Sequence, residues 1–271
     1  MSTRNYEDYM QTDAPVFADL RALFDVEQVA TVLDIGACEG EDSLRYARLF
    51  PRARVFAFEA LPENQELVRA HFARHSDGRC ELVPVALSAE NGTATFHVSS
   101  GAPEDKPQGE DWDYGNKSSS LLPPGKVGRD WIPWLKFHRA ITVPTRRLDD
   151  FCRERGLAAV DYMHIDVQGA EWLVLQGARD ILPATRCIWM EVAETELYEG
   201  QRARSEVEAF LTAQGFRPVR RDTHDLESDV LYVNLRWPAG RRRWRAVRWK
   251  KFLGDVRMKL GRWRRLGRTW S

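Results

Sequence analysis

Thr31-Val32-Leu33-Asp34-Ile35-Gly36-Ala37-Cys38-Glu39-Gly40-Glu41-Asp42 is the most informative stretch of the chain. An apolar run of strand length passes straight into two glycines, where a backbone turns sharply and a ligand can approach closely. The helix that follows, opening near Asp42 and Ser43, offers its free N–H groups to the same place. The glycines are spaced Gly-x-x-x-Gly, not the Gly-x-Gly-x-x-Gly of pyrophosphate sites, which disfavours a nicotinamide-type dehydrogenase. Asp34 and Glu39 make the turn acidic, which suits a ligand carrying cationic sulfonium and ammonium groups better than one carrying phosphates. An ordinary tight strand-to-helix turn is the competing reading.

Working outward, the chain alternates strand and helix. ARVFAFEA (53–60) reads as a second strand ending at Glu59, and LPENQELVRAHFARH (61–75) as a helix with proline at its start. An acid about twenty residues beyond such a glycine turn accepts hydrogen bonds from ribose hydroxyls in nucleotide-binding folds. Alone, Glu59 would read as a solvated strand-end acid. ELVPVALS and TATFHVSS give a third strand and an extra one, and residues 15–30 read as an amphipathic helix. Residues 101–140 break the rhythm and read as a long loop or lid; the short strand at ITVP follows. VDYMHIDV, GAEWLVLQGARDIL, CIWMEVA and SEVEAFLTAQG continue the alternation, and FRPVRRD with SDVLYVNL closes it as a strand pair. The pattern implies an α/β fold: a mostly parallel central sheet with helices on both faces.

His164-Ile165-Asp166-Val167-Gln168-Gly169-Ala170-Glu171, continuing to Gly177 and Ala178, is the second strong segment. Together with LDIGACEGEDSLRYA, AFEALPEN, VPVALS and NKSSSLLPP in this order, it resembles the FkbM-type methyltransferase family over about residues 30–195. That resemblance implies a class I, Rossmann-like fold and S-adenosylmethionine as methyl donor. It also implies O-methylation of sugars or polyketide-type products. It carries Gly36, Ala37, Cys38, Glu39 and Gly40 onto the methionine part of the cofactor and Glu59 onto the ribose; Asp34, Asp42, Ser43 and Ala60 beside them are further cofactor-site candidates. Ala86 and Leu87 fall beside the adenine, and Asn116, Ser118, Ser119 and Ser120 at the pocket mouth.

Asp166 ends a central strand, where ligands bind in open α/β sheets. A carboxylate there can orient an acceptor hydroxyl, steady the sulfonium end, or hold a divalent ion such as Mg2+ with Glu191; Glu194 is a further rim acid. Glu171 either shares that work or is a first-turn acid favoured by the helix dipole. For the base, His138 and His224 fall in loop regions that often supply catalytic groups, and His164 shares a sheet face with Asp166. Trp112, Tyr114, Trp131 and Trp134 either stack on a sugar or pack the loop onto the domain.

The 43% hydrophobic content of the 271 residues suffices for a core. Four dispersed cysteines argue against a disulfide framework and fit a reducing cytosol. The first residues, MSTRNYEDYMQTD, have no apolar core like that of a signal peptide. The net charge is zero, yet residues 241–271 carry thirteen Arg or Lys against one acid, Asp255, so they hold +12 and residues 1–240 hold −12. We therefore divide the chain into a catalytic domain, 1–240, and a basic tail, 241–271. Trp249, Phe252, Val256, Leu260, Trp263 and Trp270 recur at helical spacing among the arginines. The tail thus reads as an amphipathic helix for an anionic membrane surface, placing the protein on the inner face of the membrane. Nucleic acid and a protein partner are the competing occupants. The expected acceptor is a hydroxyl on a glycan, on a lipid-linked one, or on a small natural product.

Overall fold

The computed structural model describes residues 5–106 and 110–249. Among the described residues ten strands form two sheets: β1 (Thr31–Ile35), β2 (Arg54–Phe58), β3 (Cys80–Val83), β4 (Ala86–Leu87), β5 (Gly92–Ser100), β6 (Lys136–Arg146), β7 (Val160–Ile165), β8 (Thr185–Ala193), β9 (Phe216–His224) and β10 (Glu227–Asn234). The helices are α1 (Tyr6–Gln11), α2 (Phe17–Leu23), α3 (Glu41–Leu49), α4 (Pro62–His75), α5 (Lys126–Trp131), α6 (Leu148–Glu154), α7 (Glu171–Gln176) and α8 (Arg204–Ala213).

The seven-stranded sheet runs β3-β2-β1-β7-β8-β10-β9. β3, β2, β1, β7 and β8 pair in parallel, and β10 lies antiparallel between β8 and β9. The strand order reverses between β1 and β7, so the crevice beyond their carboxyl ends is where an open α/β sheet binds ligands. An antiparallel strand inserted next to the last, in this order, is the arrangement of the class I methyltransferase fold.

Both faces of β1 are covered, which is why it reads as an apolar run broken only by Asp34. Leu33 and Ile35 pack into one core with Phe56, Phe58, Met163 and Ile165. Val32 faces the other core, formed with Val55, Tyr162 and residues of α2 and α3. Each fully buried Leu or Phe here is worth roughly 1.5–3 kcal/mol. Asp34 shares Val32's face and is fully buried. The second sheet, β4-β6-β5, stands over the β2–β3 side of the cleft.

Two expectations change. The helix read over residues 15–30 is α2 alone, followed by a 3-10 turn at Val26–Gln28, because the Asp25 side chain caps Glu27 N and starts a new turn. The loop read over 101–140 holds α5 and the first half of β6, which pairs with β5 from Lys136 onward. Lys136, His138, Arg139 and Ala140 are exposed, so that half of the strand shows no apolar alternation.

Residues 240–249 are helical and lie against the core: Val247 is buried, and Trp244 Nε1 donates to Pro218 O at 3.2 Å. Phe252, Val256, Leu260, Trp263 and Trp270 of the expected amphipathic tail lie outside the described residues. Among the described residues no helix is long and apolar enough to cross a membrane.

Candidate active site

The glycine turn is held by its backbone. Gly36 has φ +88°, and a Cβ there would stand 1.8 Å from Asp166 O, so no side chain fits where β1 and β7 converge. Gly36 N and Ala37 N both donate to Phe58 O, at 3.0 and 2.9 Å. Cys38 takes a left-handed φ of +51° and donates its N–H to Glu59 Oε2 at 2.8 Å, while Leu61 N donates to Glu59 Oε1 at 2.7 Å. Glu59 is thus pinned between the first two βα turns. Burial pushes its carboxyl up to about 7 against the pull of those N–H groups.

Beside this turn a cleft opens at the strand-order switch, where open α/β sheets bind ligands. Gly36, Cys38, Glu59 and Asp166 form its polar end, and Ala86, Leu87 and Phe96 its apolar end. A strap, residues 115–120, crosses its open side. Asn116 Nδ2 donates to Glu39 Oε1 at 2.8 Å and to Asn64 Oδ1 at 3.2 Å. Lys117 Nζ donates to Glu41 Oε1 at 2.7 Å and sits 4.1 Å over the Trp112 ring. Burial disfavours the Lys117 charge, but Glu41, Cys38 and Glu39 hold its pKa above the usual lysine value. The serine hydroxyls largely hold the strap itself: Ser119 Oγ accepts from Ser99 N, and Ser120 Oγ accepts from Leu122 N. Ser118 contributes its carbonyl, which accepts from Tyr198 OH at 2.9 Å.

Behind the turn, His164 Nδ1 lies 2.9 Å from Asp34 Oδ1, and Ser43 Oγ donates to Asp34 Oδ2 at 2.5 Å. Burial pulls the His164 pKa down, but the hydrogen bond and charge of Asp34, with Asp42 and Asp166 beyond, raise it to about 9. The pair faces a neighbouring cavity under Trp112 that shares Gly36, Cys38 and Asp166 with the cleft; Asp42 lines that cavity too. Ala60 lines the main cleft beside Glu59.

At the end of β7 the chain turns through left-handed residues Gln168 (φ +54°) and Gly169 (φ +94°). Glu171 Oε1 accepts from Val167 N at 3.2 Å and Gly169 N at 3.1 Å, so this acid ties the turn together. Burial carries its carboxyl up to about 7. Gln168 Nε2 donates to both Asp166 Oδ1 (2.7 Å) and Glu191 Oε2 (2.9 Å), and Gln168 Oε1 accepts from Tyr198 OH at 3.1 Å. Burial, followed by the charge of Asp166, drives the Glu191 carboxyl well above the carboxylate range. The position between Asp166 and Glu191 is therefore filled by an amide, and no group of three metal-ligating side chains stands together among the described residues.

The structure brings together the glycine turn, Glu59, Ala86, Leu87, Asn116, Ser119 and Asp166. It leaves His138 exposed on β6 and His224 exposed at the end of β9, 3.6 Å from Asp229. Glu194 is taken by Arg204. Lys117, Glu41 and Gln168 lay inside quoted motifs and Tyr198 outside them, and none of the four roles leaves a spacing signal, because Lys117–Glu41, Gln168–Glu191 and Tyr198–Ser118 are pairs distant in sequence.

A Gly-x-x-x-Gly turn at the switch point of a sheet with this strand order, backed by a buried acid at the end of β2, defines a Rossmann-like methyltransferase. The model of the methyltransferase FkbM domain matches residues 34–218, and the chain belongs to that family; it is an S-adenosylmethionine-dependent methyltransferase. It is 37% identical over 205 residues to the 2-O-methyltransferase NoeI of Sinorhizobium fredii, covering 76% of this chain and 79% of that protein. Methyltransferase sdnD of Sordaria araneosa is 27% identical over 205 residues, covering 68% and 73%. Among solved structures, the N-terminal domain of EvdMO1 with SAH bound covers 82% of this chain and 81% of its own, with TM-score 0.43 and 14% identity.

Proposed function

We propose that the protein transfers a methyl group to a hydroxyl oxygen of a sugar within a glycan. The observation that carries this reading is the cleft at the β1–β7 switch, whose polar end is acidic and whose far end is apolar. Its donor set fits S-adenosylmethionine. Asp166 supplies negative potential for the ammonium and sulfonium, Asp34 and Glu39 stand behind the turn, with Asp34 paired to His164, Glu59 retains lone pairs for ribose hydroxyls, and Ala86, Leu87 and Phe96 offer an apolar slot for the adenine. Gly36, Ala37, Cys38 and Gly40 let the backbone approach, with Asp42 and Ser43 opening α3 behind them. When bound, the cofactor supplies a methyl carbon made electrophilic by its sulfonium. The work of the chain is to align the acceptor oxygen, exclude water and accept the proton. The O-methyl part of the reading draws on the 37% identity to a 2-O-methyltransferase, and the sugar part on the family resemblance.

Residues 1–240 serve as the catalytic domain, and 241–271 as a basic extension that binds an anionic membrane on its inner face. Retention on anionic vesicles by the full chain, lost on removal of 250–271, checks the latter.

The deciding experiment is calorimetry with S-adenosylhomocysteine on the wild type beside Glu59→Ala. Saturable binding weakened at least tenfold by the substitution supports the reading, and no binding by a folded wild type ends it. A screen of methyl pyranosides for methyl incorporation then tests the sugar.

A further inference from the structure

A second cavity, open to solvent, adjoins the cleft on its β8–β10 side, and nothing above assigns it a ligand. Gln168 lines both spaces, and the strap covers both, with Asn116 and Ser119 over the first and Ser118 over the second. The cavity lies at the carboxyl ends of β7 and β8, where β10 begins: Glu227 pairs with Ala193, the last residue of β8. If the adenine occupies the β2–β3 side, an acceptor must enter from the opposite side, where this cavity opens.

Its walls are aromatic. Trp131 of α5, Phe137 of β6 and Tyr198 all line it, with the Phe137 and Tyr198 rings edge to face at 6.3 Å. α5 is pressed against the 196–198 segment, since a Cβ at Gly125 or Gly128 would meet Leu197 O at 2.7 or 2.5 Å. The wall is thus fixed before any ligand arrives. Glu227 is the acid that faces the space.

The other acids nearby are occupied. Glu171 caps the Gln168–Gly169 turn, Asp166 and Glu191 share the Gln168 amide, and Asp229 stands beside His224. Glu227 has no hydrogen-bond or ion-pair partner among the described residues, and burial followed by the charges of Asp166, Glu171 and Asp229 carries its carboxyl up to about 8. An acid left unpaired in an aromatic-walled cavity is poised to receive a hydroxyl hydrogen bond.

Resting on the methyltransferase reading, we infer that this cavity holds one pyranose ring of the acceptor against Trp131, Phe137 and Tyr198, and that Glu227 is the base. In the step so assigned, the acceptor oxygen forms a bond to the methyl carbon. The carbon–sulfur bond breaks with its electron pair left on sulfur, and the hydroxyl proton passes to the Glu227 carboxylate.

The test uses the full chain loaded with S-adenosylhomocysteine and a panel of methyl hexopyranosides and methyl 6-deoxyhexopyranosides. Saturation-transfer NMR should show ring protons of at least one glycoside in contact with the protein. That contact should weaken at least fivefold in Trp131→Ala and Phe137→Ala, with S-adenosylhomocysteine affinity unchanged by calorimetry. Glu227→Gln, nearly isosteric, should keep glycoside contact within about threefold while methyl incorporation falls about 10²–10⁴-fold. Failure to bind S-adenosylhomocysteine overturns the methyltransferase reading itself. Normal cofactor binding with no glycoside contact overturns the sugar reading together with the pocket, whereas contact indifferent to both aromatic substitutions overturns only the pocket. Incorporation by Glu227→Gln within tenfold of wild type overturns the base.

Discussion

Replacing His164 by glutamine keeps a donor beside Asp34 but removes a buried positive charge, and the structure fixes how the loss should vary with pH. His164 is 8% exposed, lies 2.9 Å from Asp34, and has its pKa raised to about 9. Because the folded-state value lies above the ordinary 6.5, the proton on His164 stabilises the fold fully below about pH 6.5. That stabilisation is lost as the pH climbs through about 9. The gap corresponds to about 3 kcal/mol, near the lower end of the roughly 3–5 kcal/mol cost of stripping one partner from a buried pair. Urea unfolding of wild type and His164→Gln should therefore differ by about 3 kcal/mol at pH 6 and converge at pH 9.5. Near neutral pH the corresponding fall in Tm is about 6–12 °C at roughly 2–4 °C per kcal/mol. Glu59 and Glu171, both raised to about 7, shed their contributions mainly between pH 4.5 and 7. They are common to both proteins and cancel in the difference. A gap that stays constant from pH 6 to 9.5 would refute the charged-pair account.

Gly36→Ala should unfold the cleft region or abolish S-adenosylhomocysteine binding by calorimetry, because its Cβ would lie 1.8 Å from Asp166 O and φ is +88°. Glu171→Ala should remove the one oxygen that accepts from both Val167 N and Gly169 N and lose about 1–3 kcal/mol in urea unfolding at pH 6; a loss of methyl transfer with stability intact would instead give that acid a chemical role. Gly169→Ala should push the Tyr198 ring, 2.8 Å from the added carbon, and weaken acceptor contact more than cofactor affinity. Lys117→Met should lower cofactor affinity about tenfold by leaving Glu41 buried without its cation, read by calorimetry.

The sheet was legible because parallel strands covered on both faces write themselves as near-continuous apolar runs, unbroken at Val55–Phe58 and interrupted by Asp34 in Val32–Ile35 and by Asp161 and His164 in Val160–Ile165. The glycine turn and Glu59 were legible because a local backbone requirement leaves a local mark. The strap was visible only as a motif. Its purpose depends on Asn116 reaching Glu39 and Lys117 reaching Glu41, pairs 77 and 76 residues apart. Tyr198 and Glu227 had no mark at all, since they face the site through the closing topology of β8 and β10. α1 was also invisible: six residues capped by Asn5, it is fixed by Tyr6 OH donating to Glu39 O and Tyr6 N donating to Asp111. Surface polarity hid the first half of β6 for the opposite reason, since a strand exposed on its open face need not alternate.

β10 runs against its neighbours, so it starts at the rim of the cleft and ends beside Cys187, near the opposite edge of the sheet. The chain then turns at Gly240 and stays on that edge, with Trp237 stacked on Phe24 and Trp244 bonded to Pro218. The end of β10 thus sits at the molecule's back, about 20 Å of strand length from the mouth. A surface that held the protein by this end would face away from the mouth, and an acceptor would reach the cleft from solution.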